Sequence, residues 1–143
     1  MASEKHSTFA GHLADWSSRA SIGELPGEAV TLIKRAFLDT IAVTLSGSQL
    51  DSSRIVLGLS EDIGAGDPVA SIVGRGRKAD LLTAALANGT AAHAELFDDN
   101  NEPMISHPSA VLVSSLLALG QKHKVSGREL LNAYLAGFEI NVG

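Results

Sequence analysis

The chain has 143 residues, 45% of them hydrophobic, which is enough to bury a core and too apolar for a disordered tail. A net charge of -5 and a pI near 5.4 argue against binding a phosphate backbone, which needs a basic surface, so no nucleic-acid partner is expected. The absence of cysteine excludes disulfides, thiolate metal sites and a cysteine nucleophile, leaving His, Asp, Glu, Lys, Ser, Thr and Tyr to carry any chemistry.

Residues 1–7 contain neither the apolar core of a signal peptide nor an Arg-rich leader, and no later run approaches the ~18 apolar residues of a membrane span. A soluble, cytoplasmic protein with no membrane partner is the expectation. Phe9, Leu13, Trp16 and Ala20 fall at helical spacing, with His12, Asp15 and Arg19 opposite, and predict a first helix laid on a core. Pro26 suits the first position of a second, long helix carrying Val30, Ile33, Phe37 and Ile41 in one stripe until Ser46-Gly47-Ser48. Its latter half is apolar on most sides and should cross the middle of the fold. Ser52 or Ser53 caps a third helix with Ile55, Leu59 and Ile63 on one face, ended by Gly64-Ala65-Gly66-Asp67-Pro68.

The run 69–73 reads as a connector or one arm of a small hairpin, with Gly74-Arg75-Gly76-Arg77 as its turn. A dinucleotide loop would need a third glycine where Ala79 stands. A fourth helix begins near Asp80 and places Leu82, Ala85, Leu86, Gly89, His93 and Leu96 on one face, with a glycine cost of roughly 1 kcal/mol at Gly89 and a possible kink there. Pro108 opens a fifth, largely buried helix ending around 120–123. Ser126-Gly127-Arg128-Glu129 is a capping box that starts a sixth, through Leu130, Leu131, Tyr134, Leu135 and Phe138. The predicted fold class is all-α, a helical bundle, with 1–143 as a single helical domain or an incomplete N-terminal one.

Between the fourth and fifth helices, Leu96-Phe97-Asp98-Asp99-Asn100-Asn101 and Ser106-His107-Pro108-Ser109 set acids and a histidine at the rim of an apolar core, where a polar pocket is built. His107 before a helix start offers a proton donor or acceptor beside unpaired N–H groups that suit a carboxylate or oxyanion; it reads equally as a cap or packing residue. Asp98 and Asp99 diverge by about 100 degrees if helical, so at most one faces a ligand easily, and capping a helix end is their other reading. His93 is either a hydrogen-bonded core residue or a substrate contact. His93, Asp98 and His107 have no recognised metal-ligand spacing, so no metal is expected.

Leu38-Asp39-Thr40-Ile41, Ala87-Asn88-Gly89-Thr90-Ala91-Ala92-His93-Ala94, Phe97-Asp98-Asp99, His107-Pro108-Ser109-Ala110, and Ser126-Gly127-Arg128-Glu129-Leu130-Leu131 with Tyr134-Leu135-Ala136-Gly137-Phe138-Glu139 occur in an order that resembles the MmgE/PrpD family. That family includes 2-methylcitrate dehydratase, cis-aconitate decarboxylase and iminodisuccinate epimerase, and the resemblance covers residues from about 9 to 143. It implies a mostly helical first domain that also dimerises, followed in complete members by more helix and an α/β lid domain that lies outside this chain. It further implies action on small di- or tricarboxylates without metal or organic cofactor, by proton transfer next to a carboxylate.

In such members the histidine of His-Pro-Ser is an active-site residue, which points to His107 as the catalytic group, with Asp98, Asp99, Asn100, His93 and Ser109 as substrate-binding residues. Decarboxylase-like members carry an acid just before Phe-Asp-Asp and a polar residue, often Thr, just after it. Here Leu96 and Asn100 stand there: Leu96 can neither bond a substrate nor carry a proton, whereas Asn100 can orient a carboxylate. The stretch 97–107 is also a residue longer, closer to the epimerase-like arrangement. The expectation is the N-terminal part of a dehydratase-type lyase, inactive alone; the alternatives are an epimerase of an imino or amino dicarboxylate and a non-catalytic helical assembly module. A homodimer, or association with the remainder of the protein, is the expected partnership.

Overall fold

Six α-helices, one 3-10 turn and one hairpin account for the described residues, 8–63, 66–102 and 105–142, of the computed structural model. Residues 1–7, Gly64 and Ala65 of the expected stop to the third helix, Pro103, Met104 and Gly143 lie outside them. No helix among the described residues is long and apolar enough to cross a membrane.

Helix α1 (Phe9–Ser17) is capped by Thr8, whose hydroxyl accepts from Gly11 N–H. It was expected to lie on a core but buries none of its residues, and Phe9 and Trp16 stay exposed beside the C-terminal helix it touches. The 3-10 turn Ile22–Glu24 is tied in by Ile22, whose side chain is buried and whose N–H donates to Asn132 Oδ1 at 2.9 Å. Helix α2 (Gly27–Gly47) starts one residue later than expected, with Pro26 as its cap. Its first half half-buries Val30, Ile33 and Phe37 as the stripe predicts; its second half buries Thr40, Thr44 and Gly47, with Ile41 turned out. The two threonine hydroxyls are satisfied by the carbonyls one turn back, Ala36 and Thr40.

Helix α3 (Asp51–Ile63) corrects its expected face: Ser53 and Leu57, one turn apart, are buried, whereas Ile55 is 70% exposed and Leu59 also faces out. The hairpin pairs β1 (Ala70–Ile72) with β2 (Arg77–Ala79) antiparallel, and Gly74 and Gly76 take positive φ in the turn, where a Cβ is disfavoured. Arg75 in this turn donates to the Ser48 carbonyl and braces α2. A lone two-stranded sheet leaves its outer edge unpaired. Here that edge is satisfied from helices: Asn88 accepts from Val73 N–H and donates to Ser71 O, both at 2.9 Å, and Gln121 accepts from Ser71 N–H.

Helix α4 (Leu81–His93), capped by Asp80, packs against α2, α3 and the following helix and runs unbroken through Gly89. Its inward face is Thr83, Ala84, Ala87, Asn88, Ala91 and Ala92; the face read from the spacing carries Leu82 at 77% exposure and an exposed Leu86. Small side chains won because they let helix backbones approach: a Cβ on Gly47 would stand 2.0 Å from the Ala91 carbonyl oxygen. Turning the leucines inward would force the helices apart. Helix α5 (Pro108–His123) buries Ser109, Ala110, Val113 and Ala118. Helix α6 (Gly127–Val142) opens on the expected capping box, Glu129 accepting from Ser126 N–H at 2.7 Å while Ser126 Oγ accepts from Glu129 N–H, and buries Tyr134 and Leu135.

Candidate functional site

Helix α4 ends at His93 and α5 begins at Pro108, and the segment between folds back so that both ends meet. Leu96 and Ile105 take left-handed backbone angles (φ 56° and 49°), which cost an L-residue about 1–2 kcal/mol and reverse the chain sharply. Asn101 N–H donates to Ser106 O at 2.8 Å and Ser106 N–H returns a bond to Asn101 O, closing the loop. The apolar Leu96, Phe97 and Ile105 face solvent, whereas Asp98 turns inward. Such an inversion of the usual burial order points to the acid as the reason for the loop's path.

The Asp98 side chain is fully buried. Its carboxylate lies 3.0 Å from His93 Nδ1 through Oδ2, 3.2 Å from the same atom through Oδ1, and 3.4 Å from His107 Nδ1. The His93 and His107 side chains are 47% and 33% exposed, with rings edge to face and centroids 4.7 Å apart. His107 Nδ1 is buried and makes no hydrogen bond of normal geometry. His107 holds the cap position of α5 without capping it through its side chain, so of its two bland readings packing alone remains beside the catalytic one. One donor atom from each of His93, Asp98 and His107 lies within 4.8 Å of the others, a convergence that sequence spacing did not suggest.

Asp99 turns to a different set of partners. Its Oδ1 accepts from Ser109 N–H at 3.0 Å and its Oδ2 from Ser109 Oγ at 2.5 Å. With its hydroxyl proton so used, Ser109 Oγ accepts from the Tyr134 hydroxyl at 2.6 Å, a relay Tyr134 to Ser109 to Asp99. Burial pushes the Tyr134 phenol above its ordinary value; the Ser109 hydrogen bond opposes the shift and the Asp99 charge adds to it. The helix terminus read as a site for a substrate carboxylate is therefore occupied by the carboxylate of Asp99, and Ser109 is buried with both its donors engaged. The capping reading of the acid pair holds for Asp99, on the helix ten residues ahead.

His93 and His107 line one groove of about 570 Å³ with Ser52, Gly89, Thr90 and Val111. Asp99 and Tyr134 instead border an apolar cavity of about 340 Å³ between α2 and α6. Asn100 is exposed on the loop beyond the acids. Of the six candidate residues, His93, Asp98 and His107 form one cluster, Asp99 and Ser109 a second, and Asn100 belongs to neither set of contacts. Tyr134 was read only as a core residue; its hydroxyl, buried on a helix that faces α5, was the available signal that it needs a polar partner.

Among the described residues the lining of the histidine groove holds two imidazoles and the hydroxyls of Ser52 and Thr90, and no lysine or arginine. Residues 11–143 match the MmgE/PrpD N-terminal domain. A relative, the cis-aconitate decarboxylase-like protein oryM of Aspergillus oryzae, is 28% identical over 134 residues, covering 89% of this chain. The chain spans 28% of that relative's length. The match runs through every helix and the loop that joins His93 to His107, on a mostly helical fold, and by it the chain belongs to the MmgE/PrpD family as its N-terminal helical domain.

Proposed function

We propose that the groove at the start of α5 is one wall of the active site of a longer MmgE/PrpD enzyme, a dehydratase-type lyase that moves a proton next to a carboxylate of a small di- or tricarboxylate without metal or organic cofactor. The observation that carries this reading is His107: its Nδ1 is buried against the Asp98 carboxylate while a third of its side chain opens to the groove. A ring so held presents its other nitrogen at a fixed angle, which is what proton transfer to a substrate carbon or oxygen demands. Among the described residues the groove offers none of the cations that two or three substrate carboxylates call for, so in this reading the facing wall, from beyond these residues, supplies them.

The test is replacement of His107 in the full-length protein, assayed for dehydration, decarboxylation and epimerisation on a panel of small polycarboxylates. His107→Ala should cut the rate roughly 10²- to 10⁴-fold, the range for loss of a general acid or base, with the fold retained. His107→Gln keeps a hydrogen-bonding side chain and loses the titrating nitrogen, and should be no better. Parental rates in both variants sink the assignment.

A second reading, an epimerase acting on an imino or amino dicarboxylate, is supported by Leu96, which stands where decarboxylase-like members place an acid and is turned out to solvent. Epimerisation by the full-length protein in the same panel, without loss of water or carbon dioxide, decides for it. In either reading the exposed Leu32, Leu38 and Leu45 of α2 and Val111 of α5 are covered by self-association. Sedimentation velocity at micromolar concentration checks this, and a monodisperse monomer is the result against it.

A further inference from the structure

Among the described residues Asp98 is the only buried acid, and every partner it has is an imidazole nitrogen. A buried carboxylate is costly unless its oxygens are matched by donors. Being a pure acceptor when ionised, it requires a proton on each nitrogen that faces it, and both of those nitrogens are Nδ1. His107 Nδ1 is sealed from solvent and makes no hydrogen bond of normal geometry, and among the described residues the carboxylate beside it is that of Asp98 at 3.4 Å, which is therefore the acceptor placed to take its proton. The edge-to-face contact of the two rings fixes the second rotational degree of freedom of each.

We infer that Asp98 is a positioning residue that locks His93 and His107 together in the Nδ1–H tautomer, so that the groove carries a matched pair of imidazole Nε2 atoms. A free histidine favours the opposite tautomer; which nitrogen holds the proton is set by the bond the other one makes. His93 is then a second ligand-touching group, and Asp98 acts on the ligand only through the two rings. This deepens the reading of His107 as acid/base and takes its catalytic meaning from it. In a dehydration one bare Nε2 takes the proton from carbon, and the C–H pair becomes the new double bond. The other ring, entering as imidazolium, gives its Nε2 proton to the departing hydroxyl, which leaves as water with the C–O pair. The two rings exchange states by one proton, and one carboxylate balances the single positive charge throughout.

The tautomers are read without turnover, so this inference and the lyase reading fail separately. Long-range proton–nitrogen NMR of the full chain at about pH 8.5, above the ordinary histidine range, reports each ring nitrogen as protonated or bare. Two of the five histidines, assigned with His93→Gln and His107→Gln, should show protonated Nδ1 and bare Nε2. In Asp98→Asn the amide accepts from one ring and donates to the other, so one ring should convert to Nε2–H. Nε2–H in both rings of the parent chain overturns the proposal, as do rings unchanged in Asp98→Asn. Should that variant not fold, the parent spectrum alone decides. Titration with zinc alone is the further arm: stoichiometric uptake that displaces both Nδ1 protons would make the three residues a ligand set and overturn the positioning role.

Discussion

Asp98 and Asp99 share a peptide bond, and each ties the start of α5 to a different part of the molecule. Among the described residues Asp98 is held only by imidazoles that open to a groove, whereas Asp99 is held by a helix N–H, a hydroxyl and, through it, a phenol on α6. In the proposed reading the first acid positions the groups that carry the chemistry, and the second fixes the helix on which they sit. Consecutive acids in a loop are separate devices when the backbone sends their side chains to different walls.

The largest stability effect should come from Asp99→Ala, which strands Ser109 N–H, its hydroxyl and the buried end of the Tyr134 relay. Losing a charged cap together with a hydroxyl partner should cost about 3 kcal/mol in urea unfolding at unchanged m-value. Asp99→Asn keeps an acceptor and should cost about 1 kcal/mol. Neither should move the imidazole tautomers, since the two networks share no atom. A change in the His93 or His107 ring signals in Asp99→Asn would break the comparison, showing that the two acids work as one network.

Parts of this arrangement are legible in the chain and parts are not, for physical reasons. Local chemistry reads well: Asp80, Pro108 and the Ser126–Glu129 box start their helices as their side chains require, and the glycines of the hairpin take the angles only they favour. Helix faces read badly in α3 and α4. Periodicity registers apolarity, whereas α4 is set by closeness, with Ala91 against Gly47 of α2 and Leu82 and Leu86 outside. Family resemblance named the candidate residues but not their pairings. His93 meets Asp98 and His107 only because Leu96 bends left-handed and Asn101 pairs with Ser106, neither of which leaves a residue pattern. Spacing alone gave no sign that His93, Asp98 and His107 would converge.

A smaller effect probes the far end of the Asp99 network. Tyr134 is the one tyrosine of the chain, so phenolate absorbance reports it directly. Burial raises its folded value above the 10.0 of an unperturbed phenol. Folded and unfolded states both keep the proton below pH 10.0, so the contribution of this group is complete there. Above it the unfolded chain ionises first, and stability falls as pH rises through the folded value. Tyr134→Phe should cost roughly 1 kcal/mol at neutral pH and should flatten that alkaline fall relative to the parent chain. A phenol that titrates at its free value in the folded chain would mean the relay to Ser109 is open to water.

The smallest effect sharpens the comparison by setting a local cap against the remote one. Asp80 accepts from Leu82 N–H at 3.0 Å and Thr83 N–H at 3.1 Å at the start of α4, the same bond type that Asp99 sends to α5 from ten residues away. The Thr83 side chain and N–H hold the Asp80 carboxyl below its ordinary 3.8, opposed by burial and helped by Leu82 N–H. A depressed folded value stabilises the fold above pH 3.8 and loses that contribution as pH falls through the folded value. Asp80→Ala should cost roughly 1 kcal/mol or less, because water can reach the freed N–H groups, and should weaken the acid dependence of unfolding. Asp80→Asn should keep most of the stability and lose the pH dependence. A cost for Asp80→Ala as large as that for Asp99→Ala would show that the remote cap gains nothing from its burial and its relay, and that the two ends of the site-bearing helices are held alike.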